Sequence, residues 1–172
     1  MKIVTLTLSP ALDKSTAVGH IAPEHKLRCS NPRLDAGGGG INVSKGIQRL
    51  GLASTAVFPV GGPNGRLLTD LLTTSGIAVE TVEAPGETRE NFSVLETGTG
   101  FQYRFTMPGQ ALGEKEAEAC LDAVRRLKPN ILVASGSLPP GLPDTYYAKV
   151  AALAKQIGAR LVLDTSGAAT LA

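Results

Sequence analysis

Asp35-Ala36-Gly37-Gly38-Gly39-Gly40-Ile41-Asn42-Val43-Ser44-Lys45-Gly46-Ile47-Gln48-Arg49-Leu50-Gly51 is the stretch on which the fold turns. Four consecutive glycines suit neither a helix interior nor a strand interior, because each adds backbone freedom that ordering must remove. After them, apolar residues at 43, 47 and 50 recur at helical spacing. Gly51 then stands where a helix takes a left-handed residue at its C-terminal end. The stretch predicts a glycine turn feeding a helix. A helix N-terminus presents unpaired N–H groups and the positive end of its dipole, and glycine lets a ligand approach that backbone. Asn42, just inside the helix, can both donate to and accept from a hydroxyl. A plain flexible turn is the alternative for four glycines alone. Two phosphate-loop signatures fail: the dinucleotide fingerprint lacks its third glycine, and no Gly-Lys-Ser/Thr follows any glycine loop.

Working outward, residues 3–8 read as a buried strand ended by Ser9-Pro10, and residues 53–60 as another. A loop over 61–65, a helix over 67–74 ending at Gly76 and a short strand over 77–82 follow. Further on come a helix over 114–127 stopped by Pro129, a buried strand over 131–134 and a Gly/Pro-rich loop over 136–143. A helix over 144–157 closed by Gly158 and a strand over 160–164 complete the pattern. Strands alternating with helices predict an α/β fold, a mainly parallel sheet flanked by helices, with ligands at the C-terminal strand ends.

Two segments, about 15–35 and 87–107, fit poorly into that sheet. Residues 88–107 alternate, turn at Gly98-Thr99-Gly100 and alternate again, which reads as a hairpin with one polar and one apolar face. These segments are expected to form a separate small β-sheet, a lid over the site. Residues 165–172 open a loop and a helix start without finishing the sheet. Residues 1–172 are therefore expected to be the N-terminal part of one larger domain whose C-terminal part is missing here.

Bulk properties narrow the function classes. The 172 residues are 42% hydrophobic, as expected of a folded protein with a core. The net charge of +2 and the absence of any Lys/Arg run argue against a nucleic-acid partner. No apolar run has the roughly 20 residues of a membrane span. Cys29 and Cys120 lack metal-like spacing, so neither a disulfide framework nor a zinc site is expected, and a cytoplasmic location is the default.

Among single residues, Asp13 is expected just beyond the end of the first strand, where a carboxylate can accept hydrogen bonds from hydroxyls. Lys26, Arg89 and Arg104 fall in the lid segments, where several cations could meet a phosphate dianion. Ser137 sits in the Gly/Pro loop after a buried strand. Asp164 closes the last strand, where a carboxylate linked to a metal or a helix N-cap is expected. His20 and His25 fall near the lid segments with no partner that suggests metal or base chemistry. No nucleophile triad or metal cluster is visible, and the residues alone fix no reaction.

Together these pieces resemble the PfkB/ribokinase family of sugar kinases. The residues that carry the resemblance are Thr5-Leu6-Thr7-Leu8-Ser9-Pro10-Ala11-Leu12-Asp13, Lys26-Leu27-Arg28-Cys29 and Gly37-Gly38-Gly39-Gly40-Ile41-Asn42-Val43. Tyr103-Arg104-Phe105-Thr106-Met107-Pro108-Gly109 and Gly136-Ser137-Leu138-Pro139-Pro140-Gly141 complete the set. The resemblance implies a ribokinase-like fold and phosphoryl transfer from ATP, with Mg2+, to a ketohexose phosphate such as fructose 6-phosphate. It implies that Asp13 and Asn42 hold sugar hydroxyls while Gly38 and Gly39 present backbone to the sugar. Lys26, Arg89 and Arg104 would bind the phosphate, Ser137 would line the pocket, and the lid would pair with another lid in a homodimer. The unbroken glycine run is most similar to the 6-phosphofructokinase branch. The 1-phosphofructokinase and tagatose-6-phosphate kinase branches, and a sugar-phosphate-binding module without catalysis, are the alternatives. The family's Gly-Ala-Gly-Asp motif, which holds the catalytic Asp, and its Asn-x-x-Glu motif do not occur here. These 172 residues alone are therefore expected to be inactive, with the catalytic Asp beyond residue 172.

Overall fold

A computed structural model describes residues 1–166 of the chain. Its elements in order are β1 (Ile3–Leu6), β2 (Ala11–Val18), β3 (Arg33–Gly37), α1 (Gly39–Arg49), β4 (Thr55–Val60), α2 (Gly62–Thr74) and β5 (Ala78–Glu83). They continue with β6 (Glu90–Glu96), β7 (Gln102–Phe105), α3 (Glu114–Leu127), β8 (Ile131–Ser135), α4 (Tyr146–Gln156) and β9 (Arg160–Asp164).

Five strands form one sheet in the order β5-β4-β1-β8-β9, every neighbouring pair parallel. The central strand β1 is buried at all four positions, which matches its unbroken apolar and threonine sequence. Alternation along β1 sends Val4 and Leu6 into a core with Cys120, Val124, Val150 and Leu153 from α3 and α4. On the opposite side, Ala56 and Phe58 of β4 pack with Ile41 of α1 and Leu68 and Leu72 of α2. The result is three layers, helix–sheet–helix.

Helix α1 differs from its sequence reading. Its buried positions are Gly40, Ile41 and Ser44, not the apolar set 43, 47 and 50. Small residues let the helix lie close on the sheet, and the buried Ser44 hydroxyl bonds Thr5 Oγ1 of β1 at 2.8 Å. The glycine stop was read correctly. Gly51 has φ +76° and donates to Gln48 O, and Leu52 N donates to Ile47 O, the doubly bonded left-handed cap. Helix α2 begins at Gly62, earlier than expected, because Pro63 fits a first helical turn whose N–H groups lack partners anyway.

The remaining strands form a second sheet in the order β3-β2-β6-β7. The expected hairpin is there, with β6 and β7 antiparallel. β2 runs antiparallel to β3 and parallel to β6. β2 starts at Ala11, so Asp13 sits inside a strand of the small sheet instead of in a turn beyond β1. Residues 19–32, expected to be strand-like, contain no helix or strand. From residue 167 onward, the expected helix start after β9 lies outside the described residues.

Candidate functional site

The glycine run passes between the C-terminal ends of β1 and β8. Gly38 has φ +125°, a left-handed conformation that a side chain would strain. A β-carbon on Gly39 would lie 2.6 Å from Gly136 N, so the turn can press against the end of β8 only without one. No side chain at Gly38 caps α1. Instead Ile41 N donates to Thr7 Oγ1 at 3.0 Å, which ties the helix start to the residue after β1.

A cavity of about 540 Å³ opens at this junction, beneath the small sheet. Asp13, Gly38, Gly39, Asn42 and Arg104, five of the eight expected binding residues, line it together. Strand register explains why its roof is polar. Asp13 pairs with Asn91, Ser15 with Ser93, Ser93 with Arg104, and Leu95 with Gln102. Residues opposite one another share a face, so Asp13, Asn91, Ser93, Arg104 and Gln102 all project from the same side. Asn91, Ser93 and Gln102 went unnoticed in the sequence, although the alternation of residues 88–107 already placed them on the polar face.

Asp13 Oδ1 accepts from Asn91 Nδ2 at 2.9 Å. Asn42 is exposed on the first turn of α1, facing the cavity. Lys14 also borders the cavity and pairs with Glu90 at 3.1 Å, both about a third exposed, a geometry in which such a pair contributes at most about 1 kcal/mol.

The other three expected ligands are not among the lining residues. Arg89, immediately before β6, donates to Ser9 O at 3.0 Å, Pro10 O at 3.4 Å and Met107 O at 3.1 Å. Burial lowers its pKa, opposed by the nearby Asp13 carboxylate. Three of its five N–H groups thus join the β1–β2 link to the segment after β7, and among the described residues the other two make no hydrogen bond. Lys26 is exposed in residues 19–32, and Ser137 is exposed in the loop after β8.

Asp164 Oδ2 accepts from Ser135 Oγ at 2.9 Å, and its main-chain oxygen accepts from Gly136 N at 3.0 Å. Its observed role is to bind the end of β9 to the end of β8 and the residue that follows it. Among the described residues, no group of three or more His, Cys, Asp and Glu side chains could hold a metal ion. No helix of the described residues is long and apolar enough to cross a membrane. His20 pairs with Glu96 at 2.6 Å at the far end of the small sheet, away from the cavity.

A parallel sheet whose strand ends hold a glycine-edged polar cavity under a second small sheet defines a ribokinase-like α/β protein. The chain belongs to the pfkB family carbohydrate kinases, whose family profile matches residues 8–172. It is 46% identical over 168 residues to ATP-dependent 6-phosphofructokinase isozyme 2 of Mycobacterium tuberculosis, covering 96% of this chain and 50% of that protein. It is 45% identical over 170 residues to the isozyme 2 of Escherichia coli (strain K12), covering 98% of this chain and 55% of that protein. The crystal structure of phosphofructokinase-2 from Escherichia coli in complex with fructose-6-phosphate superposes with a TM-score of 0.92 at 45% identity, covering 96% of this chain and 55% of that one. The chain spans about half the length of the curated relatives it matches.

Proposed function

We propose that the whole protein transfers a phosphoryl group from ATP to fructose 6-phosphate, giving fructose 1,6-bisphosphate, and that this chain supplies the sugar-phosphate half of the site. The observation that carries the reading is the convergence of Asp13, Asn42, the Gly38–Gly39 backbone and Arg104 on one cavity. Asp13 accepts hydrogen bonds from sugar hydroxyls, and Asn42 donates and accepts. Arg104 faces the phosphate, whose dianion suits a planar guanidinium. Lys26 and the two uncommitted N–H groups of Arg89 join it when the segment before β3 closes over the ligand. Ser137, on the loop after β8, approaches the sugar from the other side.

ATP supplies the phosphoryl group, and Mg2+ would accompany it. The described residues offer no cluster for the metal, so no step is assigned to it. What these residues do is hold the acceptor sugar, fix its orientation and cover it. Phosphoryl transfer depends mostly on such positioning and on charge stabilisation. Leu27, Phe101, Tyr103, Phe105 and Met107 are exposed on or beside the small sheet. That apolar surface fits a homodimer formed lid to lid, which sedimentation equilibrium tests.

Calorimetry tests the ligand. Fructose 6-phosphate is expected to bind more tightly than fructose, fructose 1-phosphate or tagatose 6-phosphate, and Arg104→Gln is expected to erase the preference for the phosphorylated sugar. Equal affinity for fructose and fructose 6-phosphate would remove the phosphate from the assignment. Tighter binding of fructose 1-phosphate or tagatose 6-phosphate would move the protein to another branch of the family.

A further inference from the structure

Asn91 is the one neutral side chain on β6 that holds the Asp13 carboxylate and the chain leaving β7 at the same time. Its Nδ2 donates to Asp13 Oδ1 at 2.9 Å, and its Oδ1 accepts from Met107 N at 3.1 Å. An amide has a single acceptor oxygen. Because the Met107 N–H claims that oxygen, the NH₂ group has to face Asp13, and the amide cannot turn over without losing both bonds. The second Asp13 oxygen lies against Gly37, where a β-carbon would overlap it. One carboxylate oxygen is therefore held by Asn91, and the other occupies room that only glycine at 37 leaves open.

From this geometry we infer that Asn91 is a positioning residue for ligand binding. It sets the orientation of Asp13 toward the cavity and makes that orientation depend on the segment after β7 being in place. The inference rests on the proposed sugar-phosphate reading of the cavity. Asn91 links Asp13 directly to Met107, and Arg89 holds the same residue by donating to its main-chain oxygen. A ligand that draws on Asp13 thus favours the arrangement in which residues 105–107 stay closed beside it.

The charged groups around the pair are Asp35, across from Asp13 on β3 and tied to Lys45 at 2.8 Å, together with Arg89 and Arg104. None of these is a histidine. Asn91→Asp keeps the size and the acceptor for Met107 N but sets a carboxylate against a carboxylate. Two such groups at hydrogen-bond distance cannot both stay ionised without repulsion, and a single shared proton restores the bond. Asn91→Ala removes the donor with nothing to protonate in its place.

The experiment is calorimetry of fructose 6-phosphate binding to the unsubstituted chain and both variants at about pH 8 and about pH 5.5. Affinities are read as ratios to the unsubstituted chain at each pH, which cancels titration of the ligand. Asn91→Asp is expected to bind roughly tenfold more weakly at the higher pH and to recover most of that loss at the lower pH. Asn91→Ala is expected to lose a similar factor at both. Equal affinity in all three proteins, or an Asn91→Asp loss that ignores pH, overturns the inference while the functional reading stands. No binding by the unsubstituted chain overturns the claim that this chain carries the sugar-phosphate half of the site, and the inference with it. Should Asn91→Ala unfold, the pH dependence of Asn91→Asp decides alone.

Discussion

Gly37 and Asp13 stand diagonally across the β2–β3 ladder, so close that a β-carbon on Gly37 would occupy the space of the Asp13 carboxylate. Gly37 does not need its conformational freedom here, since its φ lies outside the left-handed region. What it provides is room for the acid. Gly37→Ala is therefore expected to displace the Asp13 side chain. It should weaken fructose 6-phosphate binding roughly tenfold while costing only about 1 kcal/mol of stability, a modest overpacking effect. Calorimetry and thermal unfolding measured on the same preparation check the pairing of a large affinity loss with a small stability loss.

Arg89 joins three main-chain oxygens, those of Ser9, Pro10 and Met107. Lysine retains the charge but not the fork. Arg89→Lys is expected to destabilise the fold by about 2 kcal/mol, because part-buried carbonyls lose their donors. A thermal midpoint equal to that of the unsubstituted chain would show that Arg89 acts through charge alone.

Much of this was legible in the sequence where local chemistry agrees with the final packing. α3 and β9 occupy the residues that periodicity, Pro129 and Gly158 imply, because their apolar spacing and their stops are local. The facing of α1 was not legible. Its apolar positions at 43, 47 and 50 sit partly outside, and it packs through Gly40, Ile41 and Ser44 because β1 offers Thr5 as a hydroxyl partner. The parallel pairing of β2 with β6 joins residues about 78 apart, and no local pattern announces such a contact. That pairing decides which polar residues meet Asp13. Asn91 was therefore missed, and Arg89 was read only as a phosphate ligand without its clamp on the main chain.

The two cysteines are expected to differ sharply in reactivity. Burial pushes the Cys120 thiol up to about 12, with Glu116 adding to the shift, and the side chain has no exposed surface. Cys29 is exposed, three residues beyond Lys26. Only the thiolate reacts readily, so a thiol reagent at neutral pH should label one cysteine in the folded chain and two after denaturation. Mass spectrometry of the peptides identifies which one. Saturating fructose 6-phosphate should slow the labelling of Cys29 if the segment around Lys26 closes over the phosphate.

Glu96 ties the far end of the small sheet together, and that tie should weaken in acid. The buried carboxylate accepts from Ile21 N at 2.7 Å, His20 Nδ1 at 2.6 Å, Thr99 Oγ1 at 2.6 Å and Tyr103 OH at 3.4 Å. These donors, the Thr99 hydroxyl first, hold its pKa below the ordinary value of 4.5 against the opposing effect of burial. A depressed carboxylate pKa means that the unfolded chain takes up the proton more readily than the folded one. The stabilisation is thus complete above the ordinary value and falls away as the pH drops toward the lower folded value. Hydrogen exchange at Ile21 and Phe101 should accelerate, relative to the central strand β1, only below about pH 4.5. Glu96→Gln, which carries no titrating carboxyl, should show the faster relative exchange at neutral pH and no further change in acid. If acid leaves the relative exchange of the unsubstituted chain unaltered, Glu96 is not what holds residues 20–21 against the hairpin.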